Sequence, residues 1–256
     1  MKKVIALLVI VILIVFALIF FSKTPSKTLC VVAAANLKST LDSIVVDFER
    51  QHPTLKVQLT YGASGKLYEQ IRNGAPFDVF LSADMDLPVK LQQENFTLFD
   101  VKPYATGQMV IWSNTINVEK RGIECLRDVE IEKIAIANPA AAPYGKKAVE
   151  CLKYYKLYEM LESKLVYGEN ITQTAQFASA GAAQVAFIAL SAALSPALQK
   201  QGGNYFLIPP SSYTSLQQGM VILKHAEGNT NASLFYDYMI TSSALQILKK
   251  NGYLKP

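Results

Sequence analysis

Four short segments each end an apolar run with small or polar residues of the kind that open a helix: Ala33-Ala34-Ala35-Asn36, Tyr61-Gly62-Ala63-Ser64-Gly65, the stretch from Asn138 to Gly145, and Glu169-Asn170-Ile171-Thr172. A helix start carries unpaired backbone N–H groups and about half a positive charge, so several meeting at one point make an anion site without any lysine or arginine. A fully ionised tetrahedral oxyanion offers only acceptors, and its ideal pocket offers only donors. Asn36 and Ser64 bring short side-chain donors, and Gly65 keeps its turn open to close approach. Tyr144 stands between Pro143 and Gly145, and Ile171, with nothing polar in its side chain, contributes its backbone N–H. Taken singly, Asn36 and Ser64 are ordinary N-caps and Tyr144 a packed loop aromatic. Together the four segments point to capture of a small oxyanion.

The elements that must position these residues follow from apolar spacing. After the short run Leu29 to Ala33, Leu37, Leu41, Ile44, Val45 and Phe48 recur at helical intervals until His52-Pro53. Leu55 to Leu59 alternates as a strand does, Ser64 stands as the N-cap of a helix carrying Leu67 and Ile71, and Asn73-Gly74 ends it. Val79-Phe80-Leu81 is a buried strand, and Asp84 opens the next helix. Met109 to Trp112, Ile134 to Ala137, Val185 to Ala189 and Met220 to Leu223 are later strands, with a loop from Asn114 to Gly122. Helices over Ser233 to Tyr238 and Ser242 to Asn251 close the chain. Strands alternating with helices mean a parallel, helix-covered sheet, here in two halves with the site where strand ends from both meet. Tyr104 to Trp112 and Tyr213 to Leu223 are the expected crossings, each an extended hinge.

The chain opens with Lys2 and Lys3 and then runs from Val4 to Phe21, 18 residues, without a polar side chain. A cleaved signal core has roughly 7–15 apolar residues and a spanning helix roughly 17–25, so the length leans towards a retained anchor, while cleavage near Ser22 stays open. Residues 22–27 read as a polar tether. Cys30 follows Lys27-Thr28-Leu29, a poor lipid-anchor context, and reads as a strand cysteine. The formal charge of +5 belongs largely to this leader, which holds four lysines and no acid; beyond it 21 basic residues face 20 acidic ones, which gives no basic field for nucleic acid. A hydrophobic content of 51% supports a sizeable core.

Other chemistries find little. Cys30, Cys125 and Cys151 form no Cys-x-x-Cys spacing, and a Cys125–Cys151 disulfide is allowed by the count but not indicated. Neither Gly-x-Ser-x-Gly nor His-Glu-x-x-His occurs, and His52 and His225 read as surface residues. Asp78 and Asp84 flank a strand and read as caps rather than metal ligands. Thirteen tyrosines keep a ferric-iron binder open, although the one adjacent pair, Tyr154-Tyr155, reads as mid-helix.

The run from Gly74 to Asp84 (Gly-Ala-Pro-Phe-Asp-Val-Phe-Leu-Ser-Ala-Asp), with Ala33-Ala34-Ala35-Asn36, the Asn-Pro and Ala-Pro-Tyr-Gly stretch over Asn138 to Gly145, and Phe235-Tyr236-Asp237-Tyr238, resembles periplasmic molybdate-binding proteins of ABC transporters. The resemblance runs from about Leu29 to Leu254. It implies an α/β, two-lobed periplasmic-binding-protein fold (type II), each lobe a helix-covered mixed sheet, the two joined by two hinge strands. The expected division is 1–27 leader and tether, 28–106 plus 223–256 first lobe, and 107–222 second lobe. It implies oxyanion contacts from Ala35, Asn36, Ser64, Tyr144 and Ile171, with Ala35, Tyr144 and Ile171 acting mainly through backbone N–H groups. Many members have Ser at the position of Asn36 and a ligand-contacting Tyr at that of Ala189. This chain departs at both and is similar to the branch that uses Asn in the first loop and Tyr in the Ala-Pro-Tyr-Gly loop. The implied ligand is molybdate or tungstate, with no cofactor and no cation ligands. The implied partners are an ABC permease and, through the leader, the membrane. The implied state is a non-enzymatic monomer in the periplasm or on the outer face of the cytoplasmic membrane. A sulfate-like oxyanion is the alternative ligand.

Overall fold

The computed structural model describes residues 28–256, so the expected leader and tether lie outside the described residues. Among the described residues no helix is long and apolar enough to cross a membrane. Among the described residues ten strands form two five-stranded sheets. In the first, β1 (Leu29–Ala34) pairs in parallel with β2 (Val57–Gly62) and β3 (Val79–Leu81), and β10 (Leu216–Ile222) runs antiparallel between β3 and β4 (Lys102–Gly107). In the second, β6 (Ile134–Ala137) pairs in parallel with β7 (Leu165–Gly168) and β8 (Val185–Ala189), and β5 (Met109–Ser113) runs antiparallel between β8 and β9 (Asn204–Leu207). Both sheets are mixed for one reason: the fourth strand of each arrives by a crossing from the other.

The crossings are short. Only Gln108 separates β4 from β5, and residues 208–215 return the chain from β9 to β10. The expected division assigns residues 107–222 to the second lobe, yet β10 is hydrogen-bonded to β3 and β4 in the first sheet. An apolar run announces burial, whereas the sheet that accepts it is chosen by where the crossing delivers it.

Helices cover both faces of each sheet, which is why β1, β3, β6 and β8 are buried almost end to end. Val31 and Ala33 face α1 (Lys38–Gln51), which buries Leu41, Ile44 and Phe48, while Val32 faces α2 (Ser64–Arg72) and α3 (Asp86–Gln93) through Leu67, Ile71 and Leu91. In the second sheet Ile136 and Phe187 pack with Ala148 and Leu152 of α4 (Pro143–Tyr154), and Ala135 and Ile188 with Ala175 and Ala178 of α5 (Ile171–Ser179). The edge strand β2 instead shows half-buried residues alternating with exposed ones. Two C-terminal helices, α6 (Thr230–Tyr238) and α7 (Ser242–Lys250), return to the first lobe, where Phe235 and Tyr238 meet Phe48 edge-on at 5.2 and 5.1 Å.

Several local expectations are corrected. Ser64 is the first residue of α2, not its cap; Ala63 holds the cap position. The helix expected at Asp84 begins at Asp86, and the Asp84 carboxylate accepts from the Leu87 N–H at 3.2 Å. The Asn114–Gly122 loop contains a helical turn, Val118–Arg121, capped by Asn117. Tyr154-Tyr155 sits at the end of α4 rather than its middle. Asp78 accepts from the Cys30 N–H at 2.8 Å and meets His225 Nδ1 at 3.2 Å, tying β3 to β1 and to the segment after β10. The three cysteines are free.

Asp47 fastens α1 to the C-terminal helices: it accepts from Ser243 Oγ at 2.5 Å, from the Tyr238 hydroxyl and from Arg50. These bonds, Ser243's foremost, hold its carboxyl well below the ordinary range. Because the folded value lies below the unfolded one, the stabilisation is present in full above about pH 4 and is lost progressively as pH falls from there towards the lower folded value. Asp47→Asn therefore destabilises the protein at pH 7, and urea titrations at pH 7 and pH 3 should show the gap from wild type closing at the lower pH.

Candidate functional site

Parallel strands deliver all their chain ends to one edge of a sheet, where the following helices begin. In the first sheet β1 leads into the 3₁₀ turn Ala35–Leu37 ahead of α1, and its neighbour β2 leads into α2. In the second, β6 leads to α4 and its neighbour β7 to α5. The four starts face one another across the two sheets and line a small, partly open cavity of about 10 Å³. Ala35, Asn36, Ser64, Tyr144 and Ile171 all line it, so the structure brings these five residues to one cavity.

The caps are unusual. Ala34, Ala63 and Ala142 occupy the N-cap positions of the first turn, α2 and α4, and none supplies a capping hydrogen bond. Alanine is among the poor N-caps, about 1 kcal/mol worse than Ser, Thr, Asp or Asn. Away from the cavity the same chain caps α6 with Asn229 and α7 with Thr241. At the fourth start Asn170 does cap, but it accepts from the Thr172 and Gln173 N–H groups, at 3.0 and 3.1 Å, and leaves Ile171. Pro143 at the first position of α4 has no N–H, which makes Tyr144 its first donor. The N–H groups of Ser64, Tyr144 and Ile171 thus have no carbonyl partner within their helices, and no other backbone bond takes them.

Side chains add donors without charge. Ser64 is fully buried, and its Oγ accepts from the Ala83 N–H at 3.0 Å, which leaves the hydroxyl proton free to donate elsewhere. Among the described residues no Lys, Arg, His, Asp or Glu lines the cavity. Burial holds the Tyr144 phenol well above its usual range, so it stays neutral. Its ring packs in the core of the second lobe together with Ala189, which does not line the cavity.

Contacts between the lobes close the cavity. The Gly65 N–H donates to the Ala141 carbonyl at 2.9 Å, Thr172 Oγ1 to the Ala35 carbonyl at 3.2 Å, and Ser191 Oγ to the Asn36 carbonyl at 2.9 Å. Ala34, Ala35, Ala63 and Ala83, all from the first lobe, pack in the same apolar cluster as Ala142, Tyr144 and Ile171. Lys66 and Glu169 pair across the rim at 2.6 Å, but both are more than half exposed, and such pairs contribute about 0–1 kcal/mol. Sequence reasoning did not single out Ala83, Ala141, Ser191 or Gln218 for the site; only Gln218, polar within an apolar strand, carries a visible signal.

A model of the family described as bacterial extracellular solute-binding protein matches residues 29–254. The chain belongs to that family. It is similar to the molybdate-binding protein ModA of Rhodobacter capsulatus, 38% identical over 200 residues that cover 77% of each chain. It is also similar to ModA of Azotobacter vinelandii, 36% identical over 87% of this chain and 88% of the relative. The solved Azotobacter vinelandii periplasmic molybdate-binding protein superposes with a TM-score of 0.83 at 33% identity, over 89% of this chain and 99% of that one. The two-lobed α/β architecture of mixed, helix-covered sheets is the family's fold.

Gly65 lies where the lobes come closest, and a Cβ there would sit 2.8 Å from the Ala141 carbonyl oxygen. Gly65→Ala should disfavour the closed arrangement by about 1–3 kcal/mol, the usual cost of overpacking. Small-angle scattering should then report a larger radius of gyration than wild type; an unchanged profile would show that this contact does not hold the lobes together.

Proposed function

We propose that the protein captures molybdate, and tungstate with it, between its two lobes and hands it to an ABC transporter permease. The observation that carries the reading is the convergence of four helix starts, three of them alanine-capped, on a cavity lined by uncharged residues. An anion there takes the place of the missing caps. The similarity to the Rhodobacter and Azotobacter molybdate-binding proteins supports molybdate as that anion.

Ligand contacts fall to Ala35, Asn36 and Ser64 from one lobe and to Tyr144 and Ile171 from the other, through the N–H groups and short side chains described above. Because the anion touches both lobes only when they are closed, it shifts the population towards the closed form by bending the two crossing strands. No covalent step is needed: this is capture, not catalysis. Neutral donors alone reject an oxyanion that carries a proton, since its O–H would lack an acceptor. Among fully ionised tetrahedral ions cavity size decides, so molybdate and the nearly isosteric tungstate bind and the smaller sulfate binds far more weakly. Ferric iron would want phenolates, and the one tyrosine lining the cavity is held in its neutral form.

The lysine-led apolar leader directs export, and whether kept as an anchor or cleaved it leaves both lobes outside the cytoplasmic membrane, a placement supported by the periplasmic Azotobacter relative. One chain closes the cavity by itself, and the protein acts as a monomer.

A thermal-shift series with molybdate, tungstate, sulfate and phosphate tests the reading. At a thousandfold excess over Kd the preferred ions add about 4 kcal/mol of stability. If sulfate raised the melting temperature as far as molybdate, the selectivity would be wrong. By calorimetry Ser64→Ala and Asn36→Ala should each cost about 1.5–3 kcal/mol of binding, the range for hydrogen bonds to a charged group, whereas Tyr144→Phe should cost well under 1 kcal/mol. With Tyr104 and Tyr144 held well above the usual phenol range and Tyr253 pushed up to about 12, all by burial, none of these phenols ionises at moderate pH. Molybdate affinity should therefore be flat from pH 7 to 9, and a fall in that window would reveal a titrating group at the site.

A further inference from the structure

Behind the cavity lies a buried polar cluster that ligand binding, as described, leaves without a role. Gln218 on β10 is fully buried at a register shift that redirects its side chain inward. Its amide lies 3.1 Å from the amide of Asn36, 2.7 Å from the Tyr104 hydroxyl and 3.5 Å from the Tyr144 hydroxyl. The Tyr253 hydroxyl lies 2.9 Å from the same Asn36 amide nitrogen. Tyr104 and Gln218 sit on the strands next to the two crossings, and Tyr144 comes from the opposite lobe. Gly107 ends β4 where the Tyr144 hydroxyl and the Gln218 amide meet; a Cβ there would collide with both.

With Asn36 Nδ2 turned towards Gln218 and Tyr253, Asn36 Oδ1 is left buried with no hydrogen-bond partner. The two atoms point to opposite sides of one amide, so the atom not engaged by the cluster is the one left for the cavity that Asn36 lines. An acceptor in that place would repel an oxyanion. A half-turn of both amides moves no heavy-atom position and gives Asn36 Oδ1 and both Gln218 amide atoms a partner. Gln218 Nε2 then donates to Asn36 Oδ1 and to the Tyr104 hydroxyl, which itself donates to the Ser82 carbonyl at 2.8 Å. The Tyr253 hydroxyl turns its proton from the Asn36 main-chain carbonyl, 2.9 Å away, to Asn36 Oδ1, and the Tyr144 hydroxyl donates to Gln218 Oε1. The Asn36 carbonyl keeps the Ser191 proton. What remains is the Asn36 NH₂, two donors with nothing to bind except a ligand.

We propose that Gln218 is a positioning residue for oxyanion selectivity: by donating to Asn36 Oδ1 it turns the Asn36 NH₂ into the cavity and removes an acceptor that could receive a protonated ligand. The role rests on the molybdate reading. It also couples the site to closure, because the Tyr144 hydroxyl reaches Gln218 only when the second lobe is docked.

Two measurements test it with the full-length protein. In ¹H–¹⁵N spectra of labelled wild type, the side-chain NH₂ pair of Asn36, identified by its loss in Asn36→Ser, should shift on saturation with sodium molybdate. An unmoved pair would place the NH₂ towards Gln218 and overturn the proposal. In Gln218→Met, a near-isosteric change without hydrogen bonds, molybdate affinity should fall on the order of tenfold. Affinity for inorganic phosphate should not fall in parallel, so the preference for molybdate over phosphate narrows, which lost packing alone would not produce. An unchanged preference in Gln218→Met, with wild type binding molybdate, removes the role of Gln218 alone. No calorimetric heat from molybdate with wild type removes the binding reading and this role together.

Discussion

Helix starts facing one another are an unfavourable arrangement unless something negative lies between them, and the architecture is built around that constraint. The turn at Ala35, α2, α4 and α5 each bring a partial positive charge to one cavity. Three of these starts are capped by alanine, a choice that sacrifices local helix stability where other helices of the chain keep Asn or Thr caps. Alanine also lets the loops approach closely, and Ala34, Ala63 and Ala83 of the first lobe pack against Ala142 and Tyr144 of the second. The same small side chain thus leaves the N–H groups unclaimed and allows the lobes to meet around whatever claims them.

The two crossings turn this local arrangement into a mechanical one. Because β5 and β10 each complete the sheet opposite to the one the chain has just left, neither lobe is finished without a segment that passes between them. Gln218 on β10 and Tyr104 on the neighbouring β4 lie within hydrogen-bond reach of each other and, through Gln218, of Asn36. The crossings and the cavity lining are therefore joined through a buried polar cluster. Such a cluster tolerates few alternative arrangements, because every polar group in it must find a partner.

Charge takes little part in this. The lining residues are uncharged, the cross-lobe ion pair of Lys66 and Glu169 is exposed, and the buried phenols stay protonated. Recognition by oriented dipoles fits a doubly charged ion that must be released again, since fixed neutral donors require no counter-charge to be neutralised when the cavity empties.

Much of the architecture was legible in the chain itself. Apolar periodicity placed α1, β3, β6 and β8 near their observed bounds, because burial on both faces leaves an almost uninterrupted apolar run. The small and polar residues after β1, β2 and β7, and the Pro-Tyr-Gly opening of α4, marked the four turns, because a helix start has to be built from such residues whatever surrounds it. Pairing was not legible: nothing in Leu216–Ile222 says that this strand belongs with β3 rather than with the second sheet, since one apolar strand suits either. Nor could spacing reveal that Ser64 receives the Ala83 N–H instead of capping α2, or that Gln218 meets Asn36 across 182 positions of sequence. The sequence by itself determined which groups exist to hold an anion, because helix starts and their caps are local. Tertiary structure alone decided that these groups share one cavity and which way the Asn36 amide is biased, because both depend on partners that only folding brings within hydrogen-bond distance.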